Sequence, residues 1–533
     1  MPPPTPPTTR WPGRRWRLAV TAAVTALFGQ FLAGTGAAEP ARTPAPQAIN
    51  WQPCADADPD SGTFECGTVK VPLDWNRPRG ETVDVAVARH LADDPKKRIG
   101  SLMFNPGGPG ASGVSWAMAP WVFPAELTSR FDIVGFDQRG VRRSKPTMKC
   151  DRDLTDRQRA LSYPKSAAAF ADLRDVTKAL ADSCRALTGP LVDHMDTLSV
   201  VRDMDAVRAG LGEEQISYFG FSYGTGVGQQ YAETYPHRIR AMVLDSNMDH
   251  SLDPWSYQKT GAVDMEGAFG QFADWCERTT SCALYGRDVR GYVDALYKRA
   301  EAGDLEMPGK PPKPYTGAEL QDLLVGAMYS PADSWFGLAD DLNAFESGGS
   351  DTTETPPPVQ GQAGSDAYLP VMCQDYYHDV PSYAVLAGFE KELARIAPVT
   401  RLNGVEWTDL TNCQNWPAEV ANPPHPLRVH GTPKILVVNS RYDVSTPYAW
   451  GANVARQMGR SAVLLTYDGV GHQVYWLSPC GADAIDTYLT TLKTPPEGTH
   501  CPAIWPTGET RKQATSDGLA NPLPELLDQG AHH

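Results

Sequence analysis

A serine flanked by glycines, Gly220-Phe221-Ser222-Tyr223-Gly224, constrains this chain more than any other stretch. It follows Glu214-Gln215-Ile216-Ser217-Tyr218-Phe219, which reads as a buried strand, and it precedes Thr225 to Tyr235, which reads as a helix. A serine on so tight a strand-to-helix turn takes a strained backbone conformation. Its neighbours must be glycine, because side chains there would collide with the adjoining strand and helix. The hydroxyl then projects above a sheet at a helix N-terminus. In a chain with 47 glycines the five-residue pattern is weak by itself, so the surrounding elements decide.

Those elements alternate. Thr82 to Leu91, Ser101 to Phe104 and Phe131 to Phe136 read as strands, and helical patterns follow at Ala167 to Leu187 and Ser199 to Leu211. After the serine turn comes a strand at Ile239 to Leu244. Strands alternating with helices predict an α/β fold with a mostly parallel sheet covered on both faces. The alternation stops between about 250 and 425, where helices are expected at Thr260 to Arg278 and Val289 to Ala302, followed by a polar Gly/Thr/Pro linker at 348–365. It resumes with strand Ile435 to Asn439, helix Tyr448 to Met458 and strand Ala462 to Tyr467. The expected organisation is a core over 49–250, a mainly helical cap insertion over 251–425, a second part of the core over 426–505 and a tail over 506–533.

The N-terminus reads as an export signal over residues 1–38. Arg10, Arg14, Arg15 and Arg17 precede the apolar run Leu18 to Leu32, and Gly36-Ala37-Ala38 offers small residues for cleavage. Arg17 stands where a twin-arginine signal prefers an apolar residue, so the general secretory route is favoured. Residues 39–48 read as a pro-segment or linker. Removing residues 1–38 takes away four arginines and no acid, which moves the formal charge from −15 to −15 − 4 = −19. So anionic a body repels phosphate backbones and argues against nucleic-acid binding. All 10 cysteines lie beyond the signal, an even number that suits disulfides in an exported chain. Pairing of neighbours, 54–66, 150–184, 276–282, 373–413 and 480–501, is expected. No Cys-x-x-Cys is present, so neither a metal nor an organic cofactor is expected.

A serine is a poor nucleophile at neutral pH and needs a base within hydrogen-bond reach and an acid to orient that base. In α/β-hydrolases these follow in the order nucleophile, acid, histidine. Asp443 lies beyond the strand at 435–439, and His472 lies beyond the next, in Gly469-Val470-Gly471-His472-Gln473. Asp468 is nearer His472 in sequence, but only Asp443 follows the penultimate strand. Acyl transfer also needs amide donors for the oxyanion. Tyr223 N–H is one candidate, and Asn105-Pro106-Gly107-Gly108-Pro109-Gly110 supplies the other, Gly108 before Gly107.

Asn-Pro-Gly-Gly-Pro-Gly at 105–110, Gly-Phe-Asp-Gln-Arg-Gly-Val at 135–141, Gly-Phe-Ser-Tyr-Gly-Thr at 220–225, Tyr-Asp-Val-Ser-Thr-Pro at 442–447 and Gly-His-Gln-Val at 471–474 resemble the secreted tripeptidyl aminopeptidases of actinobacteria. These are α/β-hydrolase serine peptidases related to the prolyl aminopeptidases, and the resemblance spans about residues 49–505. It implies an α/β-hydrolase fold, a triad of Ser222, Asp443 and His472, and release of short peptides from free N-termini. Gln138 stands where many members have proline, and Arg142-Arg143 replaces a more usual glycine-containing pair. An aminopeptidase needs a carboxylate for the substrate ammonium. Asp375, in a stretch matching a family motif, and Glu266, on a cap helix, are the candidates. A secreted, monomeric enzyme acting on peptide or protein N-termini is expected, with no stable membrane association once the signal is removed. Two alternatives stand beside it: an esterase or lipase using the same triad, and a silent hydrolase fold that only binds.

Overall fold

A computed structural model describes residues 48–55, 64–119, 122–307, 313–347, 365–376 and 378–508. The expected signal, nearly all of the pro-segment, the linker up to residue 364 and most of the tail lie outside these residues. Twelve strands run β1 (Gln52–Pro53), β2 (Phe64–Pro72), β3 (Thr82–His90), β4 (Gly100–Asn105), β5 (Phe131–Phe136), β6 (Ile216–Phe221), β7 (Ile239–Asp245), β8 (Glu306–Met307), β9 (Lys313–Pro314), β10 (Ile435–Tyr442), β11 (Ala462–Val470) and β12 (Thr499–Cys501). All but the small β8–β9 ladder join one sheet, in the order β1-β2-β3-β5-β4-β6-β7-β10-β11-β12. From β5 to β12 every pairing is parallel, and β1, β2 and β3 add an antiparallel edge.

Side chains alternate along the central strands, as a sheet buried on both faces requires. Val85, Val87, Met103, Val134, Met242 and Val437 pack on one face. Leu102, Phe104, Ile133, Val243, Leu436 and Val438 pack on the other. Burial of each such side chain contributes roughly 1.5–3 kcal/mol. The motif at 135–141 anchors this body. Arg139 is wholly buried and forks onto both carboxylate oxygens of Asp203 at 2.7 Å.

Between β7 and β10 the chain is mostly helical. The helix Pro254–Arg278 begins with Asp253 accepting from Ser256 N–H, and Gly317–Met328 begins with a Thr316/Glu319 capping box. Met265, Phe269, Phe272, Trp335 and Leu342 form a core that also takes in Val444 and Val470. The inserted helices therefore pack on the loops after β10 and β11. Trp275 and Trp335 are spent on this packing. Among the described residues no helix is long and apolar enough to cross a membrane.

Five disulfides join Cys54–Cys66, Cys150–Cys184, Cys276–Cys282, Cys373–Cys413 and Cys480–Cys501. The pairing of neighbours is as expected from sequence. Cys373–Cys413 ties helix Tyr368–Asp375 to helix Gly404–Asn412 across a separation of 40 residues. Closing a loop of that length removes conformational freedom from the unfolded chain. Replacing both cysteines by serine is expected to cost roughly 2–4 kcal/mol. Guanidinium unfolding of the two proteins side by side measures it.

Candidate active site

Strand β6 runs up to Phe221, and the helix Tyr223–Thr234 starts immediately after Ser222. Ser222 adopts φ 52° and ψ −126°, a conformation that costs a non-glycine residue about 1–3 kcal/mol. The surroundings hold it there. Its N–H donates to Asp245 O at 3.1 Å, while its carbonyl accepts from Thr225 N–H at 2.9 Å and from Thr225 Oγ1 at 2.6 Å. Both flanking glycines are needed. A Cβ on Gly220 would lie 2.6 Å from Gly224 O, and one on Gly224 would lie 2.6 Å from Asn105 O.

The glycine loop after β4 rests on this turn. A Cβ on Gly107 would stand 2.6 Å from Phe221 O and 3.1 Å from Tyr223 N. Gly107 N–H is already committed to Asn105 Oδ1 at 3.0 Å, and Gln138 Nε2 reaches the same oxygen at 3.4 Å. The N–H groups of Gly108 and Tyr223 have no partner among the described residues. That difference favours Gly108 over Gly107 as the second donor.

Asp443 follows β10 directly, and His472 stands two residues beyond β11. His472 Nδ1 lies 2.9 and 3.0 Å from the two Asp443 oxygens. Asp443 is wholly buried, and it also accepts from Ser445 N–H at 3.0 Å, Thr446 N–H at 2.9 Å and Thr446 Oγ1 at 3.0 Å. This network assigns the proton to Nδ1 and leaves Nε2 as the basic face of the ring. Asp468 is directed elsewhere, to His500 at 2.9 Å and Arg441 at 3.5 Å.

Two residues that sequence reasoning missed connect the parts. Asp245, at the end of β7, holds Ser222 through its carbonyl. Its carboxylate accepts Val474 N–H at 3.0 Å and Tyr475 N–H at 2.9 Å. Ser246 Oγ accepts Gln473 N–H at 2.7 Å. The turn bearing Ser222 and the loop bearing His472 are thus fastened to the same strand end. Tyr329, from the inserted helices, covers the other side. Its carbonyl accepts His472 N–H at 3.0 Å, and its ring meets the imidazole edge to face at 5.3 Å. Ser222 and His472 are only 9% and 5% exposed, so the site is nearly closed.

The two carboxylates considered for a substrate ammonium are already occupied. Asp375 is buried, and it accepts from Thr197 N–H at 3.0 Å, Asn422 Nδ2 at 2.8 Å and Thr197 Oγ1. Thr197 Oγ1 in turn bonds Tyr223 OH at 2.6 Å, so Asp375 stands behind a candidate oxyanion residue. Glu266 accepts from Thr400 N–H and Thr400 Oγ1, both at 2.9 Å. Each oxygen set closes a structural joint.

Burial raises several carboxyl groups: Asp245, Asp375 and Asp409 to about 7 and Asp264 to about 8. Their unfolded values lie near 3.9. A folded pKa above the unfolded one gives stability that is complete below the unfolded value and lost as pH rises through the folded value. The melting temperature is therefore expected to fall between about pH 6 and about pH 8.5. A calorimetric pH series checks this, and a rising melting temperature contradicts it.

Comparison with known proteins accords with this geometry. Residues 100–307 match the family model described as alpha/beta hydrolase fold, and residues 400–501 match that of a TAP-like protein. The chain is 31% identical to the serine protease Hip1 of Mycobacterium tuberculosis over 91% of its own length and 96% of the relative's. It is 30% identical to the tripeptidyl aminopeptidase of Streptomyces lividans, covering 87% and 89% of the two chains. It is also 31% identical to carboxylesterase B of Mycobacterium tuberculosis, covering 88% and 92%. The chain belongs to the α/β-hydrolase family of serine peptidases that contains the tripeptidyl aminopeptidases.

Proposed function

We propose that this protein is a secreted exopeptidase that releases short peptides, tripeptides foremost, from free N-termini through an acyl-enzyme. The observation that carries the reading is the Asp443–His472 pair, fastened through Asp245 and Ser246 to the strained turn that bears Ser222. His472 Nε2 takes the Ser222 hydroxyl proton as Oγ attacks the scissile carbonyl. Asp443 keeps the other ring nitrogen protonated and stabilises the imidazolium. The Tyr223 and Gly108 amides receive the oxyanion, a contribution typically of about 2.7–4 kcal/mol per donor. The imidazolium returns its proton to the leaving amine, and water then releases the peptide by the same steps in reverse.

The five disulfides support export, because such bonds persist in oxidising compartments. The helical insertion acts as a cap that limits how much peptide enters the site. One observation favours a second reading, an esterase: a relative as similar as Hip1 carries the name carboxylesterase B. The same triad opens esters, so only the substrate separates the two. A panel of tripeptide anilides with free N-termini, their N-acetylated counterparts and short-chain nitrophenyl esters tests both. Free peptides are expected to exceed acetylated ones by at least about 30-fold in kcat/KM, which is the loss of a charge-assisted contact. Equal rates would reject the exopeptidase reading.

A further inference from the structure

The helix Gly404–Asn412 carries a glutamate that the mechanism does not use. Glu406 is wholly buried, and neither of its carboxylate oxygens has a hydrogen-bond partner among the described residues. It lies against Gly261 of the helix Pro254–Arg278, where a Cβ would stand 2.5 Å from Glu406 Oε2. Gly261 thus leaves the room the carboxylate fills. An unpartnered polar group at this depth costs about 1–3 kcal/mol, and more if charged. Such a cost at a precise position is what selection for binding tolerates and selection for stability removes.

The neighbours of Glu406 are acids. Asp264, Asp409 and Asp443 are all within electrostatic reach and oppose its ionisation, as burial does. Three of these four carboxylates are in use: Asp264 accepts Tyr448 N–H at 2.7 Å, Asp409 accepts the Tyr257 and Tyr368 hydroxyls at 2.8 and 2.7 Å, and Asp443 holds His472. The nearest imidazole, His378, packs 5.9 Å from the Tyr257 ring and is kept neutral by burial, with its pKa pushed down to about 3. No lysine or arginine side chain acts on Glu406. The cluster adjoins the candidate triad. Tyr329, whose ring and carbonyl meet His472, is within electrostatic reach of Glu406 and Asp409 as well as Asp443.

We propose that Glu406 is the substrate-binding carboxylate of this enzyme and takes a primary ammonium group of the peptide, with Asp409 and Asp264 strengthening the anionic field. The inference rests on the peptidase reading above. The ammonium can come from the peptide N-terminus or from a lysine side chain, and both present the same charge and donors. Glu406 rests protonated, so binding releases that proton to solvent and forms a carboxylate–ammonium pair. Glutamine has the shape of the protonated carboxyl and preserves the packing.

The test compares wild type with Glu406→Gln on four substrates. They are a neutral tripeptide anilide with a free N-terminus, its N-acetylated form, an N-acetylated tripeptide anilide containing lysine, and nitrophenyl acetate. The variant is expected to lose roughly 30- to 1,000-fold in kcat/KM on whichever substrates carry the ammonium, chiefly through KM. Turnover of nitrophenyl acetate should stay within about threefold, and the melting temperature should not fall. Loss on the free N-terminal substrate alone identifies the α-ammonium, and loss on the lysine substrate alone identifies the side chain. Equal loss on all four, or no loss on either cationic substrate, overturns the assignment. Acetylated and free peptides cut equally fast by wild type would reject the exopeptidase reading while leaving the lysine arm to decide Glu406. A measurement on wild type alone guards against misfolding of the variant. A tripeptide amide with a free N-terminus, or an acetylated lysine tripeptide amide, should inhibit hydrolysis of nitrophenyl acetate at least about tenfold better than the acetylated neutral amide. Equal inhibition by all three contradicts the proposal.

Discussion

The end of β7 is the joint on which the candidate site depends. One residue there, Asp245, uses its carbonyl to hold the strained serine turn and its carboxylate to hold the backbone after His472. Ser246 adds a third bond to the same loop. A serine at φ 52° does not stay there on its own preference. The bonds that over-determine it also fix its register against the histidine, so the strain of the turn and the alignment of the pair have one source. Asp443 and Thr446 then fix the imidazole from the far side. Nucleophile and base thus hang from adjacent parallel strands, β6, β7, β10 and β11, whose spacing is set by backbone hydrogen bonds and by apolar packing on both faces.

Much of this was legible in the residues, for physical reasons. A buried parallel strand is a short apolar run, and Phe131–Phe136 was readable to its last residue. The elbow strand was read two residues short, because Gly220 looks like a strand breaker. In fact it belongs to β6 and is glycine because Gly224 O occupies the place of a Cβ. Likewise β10 extends to Tyr442 and β11 to Val470, which brings Asp443 and His472 closer to the strand ends than expected. The helices at Gly317–Met328, Tyr383–Ile396 and Gly404–Asn412 were not singled out, since each is short and mixes polar with apolar residues. Their stability comes from packing within the insertion rather than from pattern.

The carboxylates mark where sequence reading stops. Asp375 sits in a family-like motif and Glu266 on a helix of the insertion, yet both are consumed by backbone and hydroxyl donors. Asp245 closes a strand, a position from which a role could have been suspected. Nothing local distinguishes Glu406 from a solvated helix residue. Its burial is created by Gly261, a residue on a different helix, and by the acids around it. Which charge is left unsatisfied is a property of the packed whole. The same cluster ties stability to function, since acids held against their ionisation weaken the fold as pH rises while supplying the field a cation needs.

The central claim is that Ser222 is the nucleophile and that its reactivity depends on His472. Treatment of the folded protein with a fluorophosphonate, followed by peptide mapping in a mass spectrometer, tests it most directly. One adduct per chain is expected, on the peptide that contains Ser222. It should be absent in Ser222→Ala and formed at least about 100-fold more slowly in His472→Gln. An adduct on another residue, or unchanged labelling after loss of His472, would contradict the assignment.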